Sequence, residues 1–332
     1  MTQKLVTQTQ PGNHGQGPLP GSLYGSETVE EDRAPKLTWK HYLLALVSDR
    51  VTITAVLFLM LVAIGAAGAG WLAPYDPVAI DIMNRFIPPL SGTADGSFHV
   101  LGTDQLGRDV LSRLMHGAQV SVSIGFLGAT CSALVGITAG MIAGYRRGLF
   151  EDIVMRLVDG MQSLPSLLIA LFVLFIIGGG YLNLVLVFTF LHWMVFARMA
   201  RSLTLGYRDS MFVSAARVLG CKDRRILVRH ILPNMMAPLM VLFTLEVAIL
   251  ILSEASLSFL GFGVQPPNAS WGRMIASGRN HINTAWWLVT LPGTAIFLTA
   301  LALNLVAGWC RNISDPVQSA RWLTPKRGKK KQ

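Results

Sequence analysis

Long apolar runs separated by short polar stretches dominate this chain. About 20 mostly apolar residues are needed for a helix to cross the hydrocarbon core of a bilayer. Six runs reach that length or approach it: Val51–Leu72, Val120–Gly144, Ile153–Ile177 with Pro165 inside, Leu182–Phe196 extending toward Ser202, Met235–Leu260, and Trp286–Trp309 with Pro292 near its start. The pattern predicts an all-α polytopic membrane protein with six transmembrane helices. Composition agrees. Of 332 residues, 52% are hydrophobic and 14% charged, against about 25% charged in a soluble domain, and mean hydropathy is +0.49.

The polar stretches assign the two sides. With the N-terminus inside, the inner segments carry 23 of the 28 Lys and Arg residues, and the outer ones carry only Arg85, Arg108, Arg113, Arg273 and Arg279. Basic residues concentrate on the cytoplasmic side of short loops, so both termini are expected in the cytoplasm. The net charge of +10 is thus a topology signal, with attraction to anionic lipid headgroups at the C-terminal PKRGKKK, and no nucleic-acid partner is expected. Residues 1–40 are rich in Gly, Pro, Gln, Thr and Ser and read as a disordered cytoplasmic tail without a cleavable signal peptide. Residues 41–316 form the six-helix domain and 317–332 a basic cytoplasmic tail. Cys131, Cys221 and Cys310 are scattered and odd in number, which predicts neither a disulfide framework nor a zinc site.

One inner stretch, DSMFVSAARVLGCKDRRILVRHILPN (209–234), stands apart. Asp209 and Ser210 are able to cap a helix start, and Gly220 ends the helix. Phe212, Ala215 or Ala216, and Leu219 share a side, and the small alanines permit close approach of another backbone. A second short helix is expected from Asp223, placing Ile226, Leu227 and Val228 among Arg224, Arg225 and Arg229. Pro233 suits the start of the fifth span. Physics alone allows two roles for the hairpin at 209–230, a loop lying on lipid or a docking knob for a cytoplasmic partner.

Other constellations favour structure over chemistry. Gly128, Ser132, Gly136, Gly140 and Gly144 form a small-residue ridge for close helix packing, within the subunit or across a dimer. Ionisable groups at membrane depth must face a cavity or a partner; Glu246 and Asp159 are the candidates for a cavity-facing role, Glu246 having a hydrogen-bonded packing role as the alternative. Glu254 is placed near the outer end of its run, within reach of water. His192 is expected to pack. Thr103–Asp109 in the outer loop pairs opposite charges around a glycine turn and reads as scaffold. No phosphate-binding GxxxxGK[ST] segment occurs, so the chain is not expected to hydrolyse ATP.

The motif SAARVLG followed by ILP resembles the cytoplasmic coupling motif of permease subunits of binding-protein-dependent ABC importers. Ser214, Ala215, Ala216, Gly220, Ile231, Leu232 and Pro233 match it, with Ser214 where the family has Glu. LGTDQLGRDVLSRLMHGAQVS (101–121), SEASLSFLGFGVQPPNASWGRM (253–274) and WWLVTLPGTAIFLTALALNL (286–305) are similar to the second-permease, C-type members of the dipeptide, oligopeptide and nickel branch, and the likeness spans roughly residues 40 to 316. Near its end Gly308 and Asn312 replace two family acids. The resemblance implies the type I ABC importer permease fold in a bacterial inner membrane. It also implies a partner permease, two cytoplasmic ATPases holding ATP and Mg, an extracytoplasmic solute-binding protein and no cofactor on this chain. The candidate solutes are dipeptides, longer peptides, glutathione, opines and nickel chelates. A stand-alone ion-coupled transporter or channel is the alternative; it predicts internal repeats with broken helices and a buried ion site, and no convincing repeat of that kind is present.

Overall fold

A computed structural model describes residues 46–314 apart from 48, 94 and 95. The proposed tails at 1–40 and 317–332 lie outside the described residues. The long elements are α1 (Arg50–Ala67), α3 (Val110–Arg146), α6 (Tyr181–Arg208), α9 (Leu232–Phe259) and α11 (Trp287–Ser314). Shorter ones are α2 (Ala69–Leu72), α4 (Leu149–Gln162), α5 (Ser166–Ile177), α7 (Met211–Val218), α8 (Asp223–Ile226) and α10 (Trp271–Gly278), with one antiparallel pair, β1 (Ser91–Gly92) and β2 (Phe98–His99).

Five helices are long and apolar enough to span, and α4 with α5 forms a pair bent by 87°. The third run is therefore broken rather than straight. Pro165 supplies no N–H and holds Leu164 out of helical geometry, so α4 stops at Gln162 and α5 restarts at Ser166. The bent pair still crosses the membrane, as the packing of its flanks requires. Tyr181, at the start of α6, donates to Ser123 of α3 at 3.0 Å, while Gly144 near the end of α3 abuts Arg201 and Thr204. Helices α3 and α6 thus run parallel. Between Arg146 and Tyr181 the chain climbs back over about 30 Å, at 1.5 Å per helical residue, which is the thickness of the hydrocarbon core.

The α3–α6 seam is the axis of the fold, and the small-residue ridge makes it. A Cβ on Gly136 or Gly140 would collide with the carbonyl oxygens of Trp193 or Ala197, and one on Gly144 would press on Arg201 and Thr204. Ser132 donates to the Phe188 carbonyl at 3.3 Å. The ridge is used within the subunit. Helix α9 packs antiparallel to both, with Ile251 against Gly125 and Met235 against Thr204.

Helix α3 begins ten residues earlier than the apolar run. Asp109 caps it, accepting from the Ser112 N–H at 2.8 Å and its hydroxyl at 2.7 Å. These first turns belong to a cap of loop and short helix at one end of the bundle. Tyr75, just past α2, donates its N–H to Ser112, and the Trp287 indole donates to the Thr103 carbonyl at 3.2 Å. The Trp271 indole donates to the Leu114 carbonyl at 3.0 Å. Because α1 finishes at this cap and α11 starts from it, Asp49 and the C-terminal end of α11 both lie at the opposite end of the bundle, the end that carries the hairpin.

Candidate functional site

The hairpin grows from the far end of α6. Ser210 is the N-cap of α7 by backbone geometry, but its hydroxyl turns back to donate to the Tyr207 carbonyl, and Asp209 meets Arg147 at 3.4 Å. The expected side-chain cap is not made. At the other end of α7 the N–H of Gly220 bonds the Arg217 carbonyl and that of Cys221 bonds the Ala216 carbonyl, at 3.0 and 3.1 Å. This double closure is a Schellman turn. It needs a left-handed residue, which Gly220 supplies at φ +75°.

The second arm is not a free helix. Helix α8 continues through a π-turn at Leu227–Ile231 into α9, so one rod runs from Asp223 to Phe259. Pro233 sits in the first turn of α9. It has no N–H to offer the preceding turn, and the Asn234 side chain donates to the His230 carbonyl at 2.6 Å.

Three groups bolt the hairpin to the bundle. Tyr145, near the end of α3, donates its hydroxyl to Asp223 at 2.8 Å, and Arg208 and Arg217 lie over its ring at 6.0 and 5.8 Å, a cation–π geometry. Tyr207 donates to the Asn234 carbonyl at 3.1 Å. Beneath them Met141, Ala200, Val213, Ala216, Ile226, Ile231 and Met235 form a small apolar core.

This arrangement divides the motif residues. Ser214, Ala215, Gly220 and Pro233 are exposed and Leu232 is half-buried, whereas Ala216 and Ile231 are buried. The smallness of Ala216 therefore serves the hairpin's own packing, and it does not share the outer side with Phe212 and Leu219. The outer side instead carries Met211, Val218 and Leu219, exposed by 90, 88 and 83%, with Phe212 at 41%. Met211, Val218 and the Tyr145 tether escaped sequence reading. An apolar Val-Leu pair directly before the helix-ending glycine was the available signal for the tip; nothing in the sequence joins residue 145 to 223.

Glu246 is buried against α6, its Oε2 2.8 Å from His192 Nδ1, so in this chain it makes a helix–helix contact, not a cavity wall. Asp159 is largely exposed and pairs with Arg198 at 2.5 Å; Glu151 pairs with Arg201 at 2.5 Å, and the two bonds hold α4 across α6. Glu254 does not reach water. It is fully buried, accepting from the hydroxyls of Ser121 at 2.7 Å and Ser258 at 2.5 Å, and Ser121 in turn accepts from the Trp271 N–H at 3.2 Å. Among the described residues no three His, Cys, Asp or Glu side chains gather to hold a metal.

Residues 136–318 match the family described as binding-protein-dependent transport system inner membrane component. The chain is 40% identical over 262 residues to the di/tripeptide transport system permease protein DppC of Pseudomonas aeruginosa, covering 79% of this chain and 86% of that one. It is 34% identical to the glutathione transport system permease protein GsiD of Pectobacterium atrosepticum, over 87% and 94% of the two chains. To the probable D,D-dipeptide transport system permease protein DdpC of Escherichia coli it is 34% identical, over 85% and 91%.

Proposed function

Because this chain belongs to the family of binding-protein-dependent transport system inner membrane components, and so is a multi-pass membrane subunit of an ABC importer and not itself a catalyst, we propose that its hairpin is the foot on which a cytoplasmic ATPase acts and that its cargo is a short peptide or a peptide-like solute such as glutathione. One observation carries the docking role. Met211, Val218 and Leu219 project from a helix whose other face is bolted to α3, α6 and α9. Exposed apolar groups clustered on a rigid support mark an interaction surface.

The hairpin then works as a lever. The rod Asp223–Phe259 joins the foot to Glu254, which binds Ser121 of α3 and, through it, α10. A displacement at the foot is delivered along one continuous helical element to the far end, with the π-turn at Leu227–Ile231 and Pro238 as the places where it is able to bend. Switching needs contacts that differ between two states, and closure of the ATPases on ATP and Mg, held by those partners, supplies them. The cytoplasm lies on the hairpin side in this reading, supported by the 23 of 28 basic residues assigned there. A second permease completes the pathway, and an extracytoplasmic solute-binding protein delivers the cargo, a reading supported by the binding-protein dependence of the family.

Reconstitution tests the proposal. Proteoliposomes holding this chain, a partner permease and the ATPases should take up a dipeptide only when ATP and the solute-binding protein are supplied. Uptake by this chain alone under a proton or sodium gradient would reject it.

A further inference from the structure

Four of the five outer arginines converge on one cleft at the end of the molecule opposite the hairpin. A cavity of about 220 Å³ is lined by Gln105, Leu106, Arg108, Arg113, Pro266, Pro267, Asn268, Arg273 and Ser277. A second, of about 340 Å³, adjoins it and shares Arg273 and Ser277, with Arg279 on its far wall. The balance of charge is uneven. Asp104 binds Arg108 at 2.7 Å and lies 3.5 Å from Arg113, while Arg113 also donates to the Pro77 carbonyl at 3.0 Å. Arg279 lies over the Phe259 ring at 5.6 Å. The backbone N–H of Arg273 serves the α10 cap through Ser270, and its guanidinium forms no ion pair among the described residues. Residues 255–286 contain no acid to neutralise it. The smaller cavity is thus lined by three arginines and no acid, and the nearby Asp104 is already committed to Arg108 and Arg113.

The wall also holds an unmet acceptor. Gln105 Oε1 is buried with no hydrogen-bond partner. A buried acceptor left without a donor costs about 1–3 kcal/mol, and planar guanidinium forks match carboxylates in two-point geometry. We propose that this cleft is a binding site for a carboxylate flanked by an N–H donor, as at the C-terminal residue of a peptide or on an acidic side chain of an extracytoplasmic protein. The carboxylate sits between Arg273 and Arg108, and the N–H meets Gln105. The volume admits one residue and not a folded segment. The two sources share one chemistry, and only the choice between them rests on the importer reading above.

The test follows phenylglyoxal labelling of Arg273 by mass spectrometry in the assembled complex in nanodiscs. N-acetylglycine has the carboxylate and the N–H. At about ten times its Kd it should slow labelling about tenfold, and neutral N-acetylglycinamide should not. In R273Q the protection of Arg108 by N-acetylglycine should weaken about tenfold, whereas R273K should retain most of it. Protection by a free dipeptide, lost on amidating its C-terminus, assigns the site to the solute. Protection by the solute-free binding protein assigns it to that partner. Equal labelling with and without N-acetylglycine overturns the site, and stronger protection by inorganic phosphate overturns the carboxylate assignment in favour of a lipid headgroup. Both readouts stand even if ATP-driven uptake is never observed.

Discussion

At the end opposite the hairpin, Glu254, Ser121, Ser258 and Trp271 tie three helices together with every polar atom enclosed. At the hairpin end, Arg147–Asp209 and Arg198–Asp159 lie half open or more to the surroundings, and large apolar side chains point outward. The two ends obey different rules because they do different work. Enclosed charge is tolerated only where each polar atom finds a partner, and once that condition is met the network permits little movement. The end away from the hairpin is a frame. The hairpin end keeps its bolts inside and its apolar tip outside, as expected of a surface completed by another protein.

The seam on which both ends depend should be the most sensitive place. Gly140→Leu drives a side chain into the Ala197 carbonyl and should cost about 3 kcal/mol or more, seen as loss of correctly inserted, protease-resistant protein. Trp271→Ala attacks the frame alone. Removing a fully buried indole should cost about 3–5 kcal/mol, read as a lowered Tm in detergent, with the hairpin still able to bind an ATPase. Leu219→Asp attacks the tip alone. It should leave stability within about 0.5 kcal/mol of the parent while weakening ATPase capture by about thirtyfold, the loss expected of a binding hot spot. A parental affinity would remove the distinction drawn between the ends. Ala216→Arg does not serve the same purpose, since that position is buried in the hairpin's own core. The smallest effect is expected at Arg147→Gln, where a 3.4 Å pair exposed on both sides is worth about 0.5 kcal/mol or less; a larger drop in Tm would mean that the hairpin end is held more tightly than its geometry indicates.

Much of this was legible from sequence where a rule is local or set by the bilayer. The apolar runs marked the spans, Gly220 marked the end of α7, and the ridge at Gly136, Gly140 and Gly144 announced a close helix contact. The misreadings share a cause. Glu254 was placed near water because its depth was judged along one helix, and depth along a helix does not reveal that α3 and α10 cover it. Ala215 and Ala216 looked equivalent because adjacent small residues do not disclose which one faces the bundle. The 87° bend at Pro165 lies inside a stretch read as one run, although the arm before the proline carries Arg156 and Asp159 and the arm after it no charge at all.

The amino-acid order by itself determined the number of crossings, the bias of basic residues to one side and the helix–glycine–helix outline of the hairpin, because lipid thickness, backbone hydrogen bonding and the conformational freedom of glycine act on neighbours in the chain. Only the tertiary structure decided which residues the hairpin shows and hides, that α3 and α6 run side by side, and that arginines from residues 108 to 279 meet in one cleft. Those outcomes depend on contacts between segments far apart in the chain, from 56 residues at Ser132–Phe188 and 78 at Tyr145–Asp223 to 157 at Leu114–Trp271, and no local pattern encodes the partner across such a distance.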